Sequence, residues 1–125
     1  MKSDNFSLKS RLKSFGFALD GVSSLLKNEP NSRIHILAAA IVIVTGIILK
    51  INFQEWCFLI IVIGLVFISE LFNTSLETIS DAVDPERNEK IRKAKDYAAA
   101  AVLISAIAAV ITGGLIFIPA ILKLF

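Results

Sequence analysis

The chain has 125 residues, 55% of them hydrophobic, with 13 basic and 11 acidic side chains and a net charge of +2. That length allows a single domain over 1–125, and a soluble domain of this size with a mean hydropathy of +0.72 could not hide its apolar surface. Lipid is therefore the expected solvent for part of it. The lone Cys57 excludes an intrachain disulfide framework and a cysteine-based zinc site. The basic residues sit beside apolar segments and form no nucleic-acid pattern, so no nucleic-acid partner is expected. The first 33 residues are polar and basic and lack the short apolar core of a cleavable signal peptide.

In chain order, residues 5–27 read as an amphipathic helix. Leu8, Leu12, Phe15, Leu19, Val22 and Leu26 recur at spacings of 4, 3, 4, 3 and 4, which makes one narrow stripe. Lys9, Lys13 and Lys27 fall off it, as in helices that lie on an anionic membrane surface. A helix that docks on a partner is the alternative. Pro30 cannot continue this helix, and Asn31 or Ser32 is expected to cap the next.

Three apolar segments follow, 34–51, 56–79 and 97–122, and predict three transmembrane helices. The uncharged part of the first, Ile36 to Leu49, reaches only ~21 Å and needs its flanks and a snorkelling Lys50 to cross. The third is uncharged and long enough alone. Asp84-Pro85-Glu86 reads as a helix start, a capping Asp followed by Pro at the first position, so the third helix is expected to begin well before Tyr97. Lys2, Lys9, Arg11, Lys13, Lys27 and Arg33 precede the first span. Arg87, Lys90, Arg92, Lys93 and Lys95 fall between spans two and three, against only Lys50 and Lys123 on the other side. The positive-inside rule then puts the N-terminus and the second loop in the cytoplasm, with Trp56 at the outer interface. The expected location is a bacterial inner membrane, crossed three times.

The chemistry is concentrated at the end of the second span. At ~100° per residue, Glu70, Asn73, Glu77 and Asp81 fall at ~0°, 300°, 340° and 20°, on one helix face. Counted from Trp56, Glu70 is ~21 Å and Glu77 ~31 Å along the helix, so the acidic face climbs out toward the cytoplasm. Carboxylates placed so usually mark a functional site, although interhelical hydrogen bonding within an oligomer would use the same groups. The deeper, less hydrated Glu70 is the candidate general base. Glu77, nearer water, is the candidate ligand for Mg²⁺, which takes one or two carboxylates together with phosphate oxygens. Lys95 can neutralise transferring phosphate; alone it reads first as a snorkelling lysine. Glu29 is either a further metal carboxylate or a solvated loop residue. His35 reads as an interface anchor before a catalyst. Gly113-Gly114 and the Ala-rich stretch from Ala98 read as close helix packing. No glycine-rich phosphate loop is present.

Together these residues resemble the prokaryotic diacylglycerol kinase family, which includes the undecaprenol kinases. The likeness runs roughly from Arg11 to Leu122. It rests on Glu70-Leu71-Phe72-Asn73-Thr74-Ser75-Leu76-Glu77 followed by Asp81, on Ala94-Lys95-Asp96 leading into an Ala-rich span, and on Asn28-Glu29 with Arg33 shortly after. The resemblance implies an all-α integral-membrane homotrimer, with active sites shared between subunits and MgATP as phosphate donor to a lipid hydroxyl. It makes Glu70 the base that meets the lipid substrate, with Asn73 beside it, and Glu29 and Glu77 the carboxylates that hold Mg²⁺ on ATP. Asn73, Asp81, Lys95 and Asp96 become nucleotide contacts. The family's N-terminal basic residue is matched approximately by Arg11, since strict register falls on Ser10. The Arg33-Ile34-His35 run looks more like the undecaprenol kinases, because diacylglycerol-specific members carry a carboxylate where His35 stands. The competing reading is a small proton-coupled transporter or channel subunit that uses intramembrane carboxylates. Against it, nothing acidic continues to the outer face.

Overall fold

The computed structural model describes residues 6–84, 86 and 88–125. All described regular structure is helical: α1 (Leu8–Asn28), α2 (Pro30–Ile48), α3 (Phe53–Val83) and α4 (Glu89–Leu122). The last three are long and apolar enough to cross a membrane. At 1.5 Å per residue α2 is ~28 Å long, close to a hydrocarbon core of ~30 Å, whereas α3 at ~46 Å and α4 at ~51 Å project beyond one. α2 gains length because it starts at Pro30, in the first helical position where a missing N–H costs nothing.

The helix ends differ in part from expectation. Ser7 caps α1, accepting from the Ser10 N–H at 3.1 Å. Neither Asn31 nor Ser32 caps α2. Glu29 holds the cap position through its backbone alone, and the fully buried Ser32 turns back to place its hydroxyl 2.8 Å from the Leu25 carbonyl and 2.7 Å from that of Glu29. Arg33 donates from Nη2 to the Lys27 carbonyl. Thus α2 side chains satisfy the carbonyls left open at the end of α1. Asp84 does not start α4. It closes α3, and its carboxylate accepts from the N–H groups of Glu86 and Asn88. Asn88 caps α4 instead, through the Ile91 N–H. Pro85, counted in that expected cap, and Lys2 and Arg87, counted in the charge bias, lie outside the described residues.

The α2–α3 corner is the tightest part of the chain. Lys50 takes φ 51°, and bonds from Lys50 N–H to Ile47 O and from Ile51 N–H to Gly46 O close a Schellman motif. Asn52 and Glu55 then form a reciprocal capping box that starts α3. Gly46 lies under Trp56, where an added Cβ would come within 2.8 Å of the indole ring. Trp56 is therefore held against the corner, beside a small core of Ile51, Leu59 and Ile116. α3 and α4 form an antiparallel hairpin with the most extensive contact in the chain. Neither Gly113 nor Gly114 is approached by another helix; their nearest neighbours are Phe117 and Ile118 of α4 itself. The close packing expected there is absent within the chain. The α1 stripe from Leu8 to Val22 is likewise uncovered, as are most apolar side chains of the three long helices.

Candidate functional site

The site lies at the end of the molecule opposite the Gly46–Trp56 corner. Glu70 sits inside α3 and is only 3% exposed. Its Oε1 is 2.9 Å from Nε2 of His35, which α2 brings alongside. The edge of the Phe67 ring, one turn earlier on α3, backs the imidazole at 6.4 Å between centroids. His35 is thus the partner of the buried carboxylate rather than a free interfacial anchor, because a carboxylate in an apolar surrounding needs a donor. From this pair an apolar cavity of about 230 Å³ runs between α2, α3 and α4, lined by Ala38, Val42, Ile63, Val66 and Ala106 among others. Val42 is seven residues past His35 and Ile63 seven before Glu70, so the cavity extends ~10 Å from the carboxylate toward the opposite face.

One and two turns further along α3 come Asn73 and Glu77, both half-buried. The helix hydroxyls around them are self-satisfied: Ser69, Thr78 and Ser80 each bond a carbonyl three or four residues back. Asn73 Oδ1 and Thr74 Oγ1 are exceptions, buried without a hydrogen-bond partner. An unsatisfied amide oxygen within one turn of two carboxylates is the donor set a hard, oxygen-seeking cation accepts. These residues therefore fit Mg²⁺ held jointly with phosphate. Among the described residues no three acidic, His or Cys side chains converge into a site that would hold a metal alone. Glu29 is half-buried at the α1–α2 corner, its backbone fixed by the Leu25 carbonyl on one side and Ser32 on the other. Beside the acidic face, an open cleft of about 330 Å³ between α1 and α3 is lined by Leu25, Leu71, Thr74 and Thr78.

Lys95 bonds Asp81 at 3.3 Å; its side chain is 16% exposed and that of Asp81 61%. The α3–α4 hairpin brings these two together, Asp81 standing one turn past Glu77 on α3. Asp96 is exposed next to it. Arg11 does not join the cluster within one chain: it is exposed, with its guanidinium 4.8 Å over the Phe6 ring. Ser10, the strict-register alternative, sits in the first turn of α1. Sequence reasoning missed two contributors, His35 as the partner of Glu70 and Ser32 as the staple behind Glu29. The signal for the first was the cost of a lone buried carboxylate, which demands a donor at the same depth on a neighbouring helix.

A helical membrane protein with a buried carboxylate bonded to a histidine that lines an apolar cavity, and with acidic and basic groups further along the α3–α4 pair, has the layout of an enzyme that works on lipid. Residues 16–117 match the prokaryotic diacylglycerol kinase family. The chain is 35% identical to an undecaprenol kinase of Bacillus subtilis over 86% of this chain and 87% of that one. It is 40% identical to a diacylglycerol kinase of Synechocystis sp. over 90% of this chain and 65% of that one, and 33% identical to the diacylglycerol kinase of Escherichia coli over 81% and 83%. The chain belongs to the prokaryotic diacylglycerol kinase family. It is a lipid kinase, which removes the transporter reading.

Proposed function

We infer that the protein transfers the γ-phosphate of MgATP to the hydroxyl of a membrane lipid at the cytoplasmic face of a bacterial inner membrane, giving the lipid phosphate. The observation that carries this reading is the position of Glu70, buried against His35, which lines an apolar cavity, and on one helix face with Asn73 and Glu77. A lipid chain in the cavity would bring its terminal hydroxyl to the carboxylate.

In this mechanism Glu70 accepts the proton of the lipid hydroxyl while that oxygen attacks the γ-phosphorus, the bond from phosphorus to the β–γ bridging oxygen breaks, and ADP leaves. Asn73 orients the reacting groups. Glu29 and Glu77 supply the carboxylate ligands of Mg²⁺, which when bound neutralises the phosphate charge. Lys95, presented by Asp81, meets the charge that develops on the phosphoryl oxygens, and Asp96 contacts the nucleotide. Arg11 is assigned to the site of a neighbouring subunit, in a homotrimer with shared active sites. The uncovered apolar faces and the open Gly113-Gly114 surface support such an assembly. The N-terminus and the α3–α4 connection are cytoplasmic, α1 lies on the membrane surface, and the whole chain acts as one domain.

Undecaprenol is favoured over diacylglycerol as acceptor on the Arg33-Ile34-His35 run; identities of 35% and 40% to proteins of the two names do not separate them. The test is to offer the purified protein each lipid in mixed micelles with γ-labelled MgATP. Label on undecaprenol at a higher kcat/KM than on diacylglycerol is expected. Preferential labelling of diacylglycerol would reverse the choice of acceptor, and no label on either, from folded protein, would contradict the transfer itself.

A further inference from the structure

Within the kinase reading above, on which this inference rests, the role of His35 is open. We propose that His35 is a positioning residue for Glu70, donating from Nε2–H to Oε1 so that Oε2 is the oxygen presented to the lipid hydroxyl.

Four observations carry it. The Nε2–Oε1 contact is 2.9 Å, and among the described residues it is the one hydrogen bond that Glu70 makes. A carboxylate acting as base only accepts, so the hydrogen of this bond belongs to the imidazole, which fixes the Nε2–H tautomer. Among the described residues no hydrogen bond reaches the second oxygen, Oε2, and the side chain keeps 4% of its surface exposed. Finally, the imidazole cannot swing away freely, because the Phe67 ring stands edge-on to it and both line the same apolar cavity.

The physical need is plain. A glutamate has three rotatable side-chain bonds, and no other described group fixes this one. A base must meet its proton within hydrogen-bond reach, and a misplacement of ~1 Å can cost on the order of a hundredfold in rate. A single donor on a neighbouring helix removes that freedom. It also ties α2 to α3 at the depth where the acceptor must arrive, and His35 bonds none of the groups assigned to the nucleotide. The effect should therefore fall on turnover of the lipid and not on use of MgATP.

The experiment compares His35→Leu, His35→Gln and His35→Asn in full-length protein in mixed micelles, with Glu70→Gln alongside. Leu matches the bulk without a donor, Gln carries an amide N–H at nearly the reach of Nε2, and Asn carries one too short. The expected result is a kcat lowered about tenfold to a hundredfold by Leu and by Asn, with KM for MgATP within about twofold of wild type, and restored to within about threefold by Gln. Equal loss in Gln and Leu would overturn the proposal by reducing His35 to a shape-filling residue. Wild-type kcat in Leu or Asn would overturn it outright. Melting midpoints separate a folding defect from a catalytic one; if Leu fails to fold, the contrast of Asn with Gln decides. An active Glu70→Gln variant would instead sink the underlying reading of Glu70 as base, whereas an inactive one beside a fully active His35→Leu sinks the positioning role alone.

Discussion

At the scale of single residues, the most informative atom is Asn73 Oδ1, buried with the neighbouring Thr74 hydroxyl without a hydrogen-bond partner between Glu70 and Glu77, while Ser69 and Thr78 bond the helix backbone. Leaving such an oxygen unpaired costs about 1–3 kcal/mol, which a bound cation and its phosphate would offset. Glu77→Gln is accordingly predicted to raise the Mg²⁺ concentration for half-maximal activity on the order of tenfold or more, the scale found even for groups that merely support a metal ligand. A Mg²⁺ titration superimposable on wild type would remove Glu77 from the metal. The acidic face was legible because helical angles follow from residue numbers alone. The His35–Glu70 bond was not, because it depends on the register between α2 and α3, which the connection through Lys50 sets and no local pattern encodes.

At the scale of elements, the helices were readable and their ends were not. Apolar runs revealed α2, α3 and α4, but Ser, Asn and Asp serve equally as caps, staples or loop ties. Tertiary contacts make the choice: Ser32 reaches back to α1, Asp84 closes α3, and Asn88 begins α4. In the proposed mechanism Ser32 bears most on function, because it fixes the backbone on which Glu29 is carried. Ser32→Ala removes a buried hydroxyl from the Leu25 and Glu29 carbonyls, each of which keeps a backbone donor. The predicted loss is therefore about 1 kcal/mol, the value of one ordinary hydrogen bond. It should appear as a lower melting midpoint in detergent together with a higher Mg²⁺ requirement. Unchanged melting and unchanged Mg²⁺ dependence would show that the staple positions nothing.

At the scale of the whole molecule, rigidity and chemistry occupy opposite ends of the bundle. The Gly46–Trp56 corner and the Ile51, Leu59 and Ile116 core lie eleven residues along α2 from His35, ~16 Å away. Gly46→Ala would push a Cβ to 2.8 Å from the indole ring. Overpacking of this kind costs about 1–3 kcal/mol. The melting midpoint should fall, while kcat per folded molecule stays near wild type because the acidic face is remote. A Gly46→Ala protein of full stability would contradict the packing, and one with normal stability but lost turnover would contradict the separation of the two ends. The number and order of the spans were open to hydropathy. Which glycine would be pressed was not: Gly46 looks isolated in the sequence, whereas the Gly113-Gly114 pair stands open within the subunit.

The central claim is that Glu70 takes the proton from a lipid hydroxyl. It is tested most directly by measuring transfer of labelled γ-phosphate from MgATP to the preferred lipid by wild-type and Glu70→Gln protein, matched for folding and assembly. The account predicts that the substitution lowers kcat by at least about a hundredfold, within the range contributed by a general base, with little change in KM for MgATP. Turnover close to wild type in a correctly folded Glu70→Gln protein would contradict it.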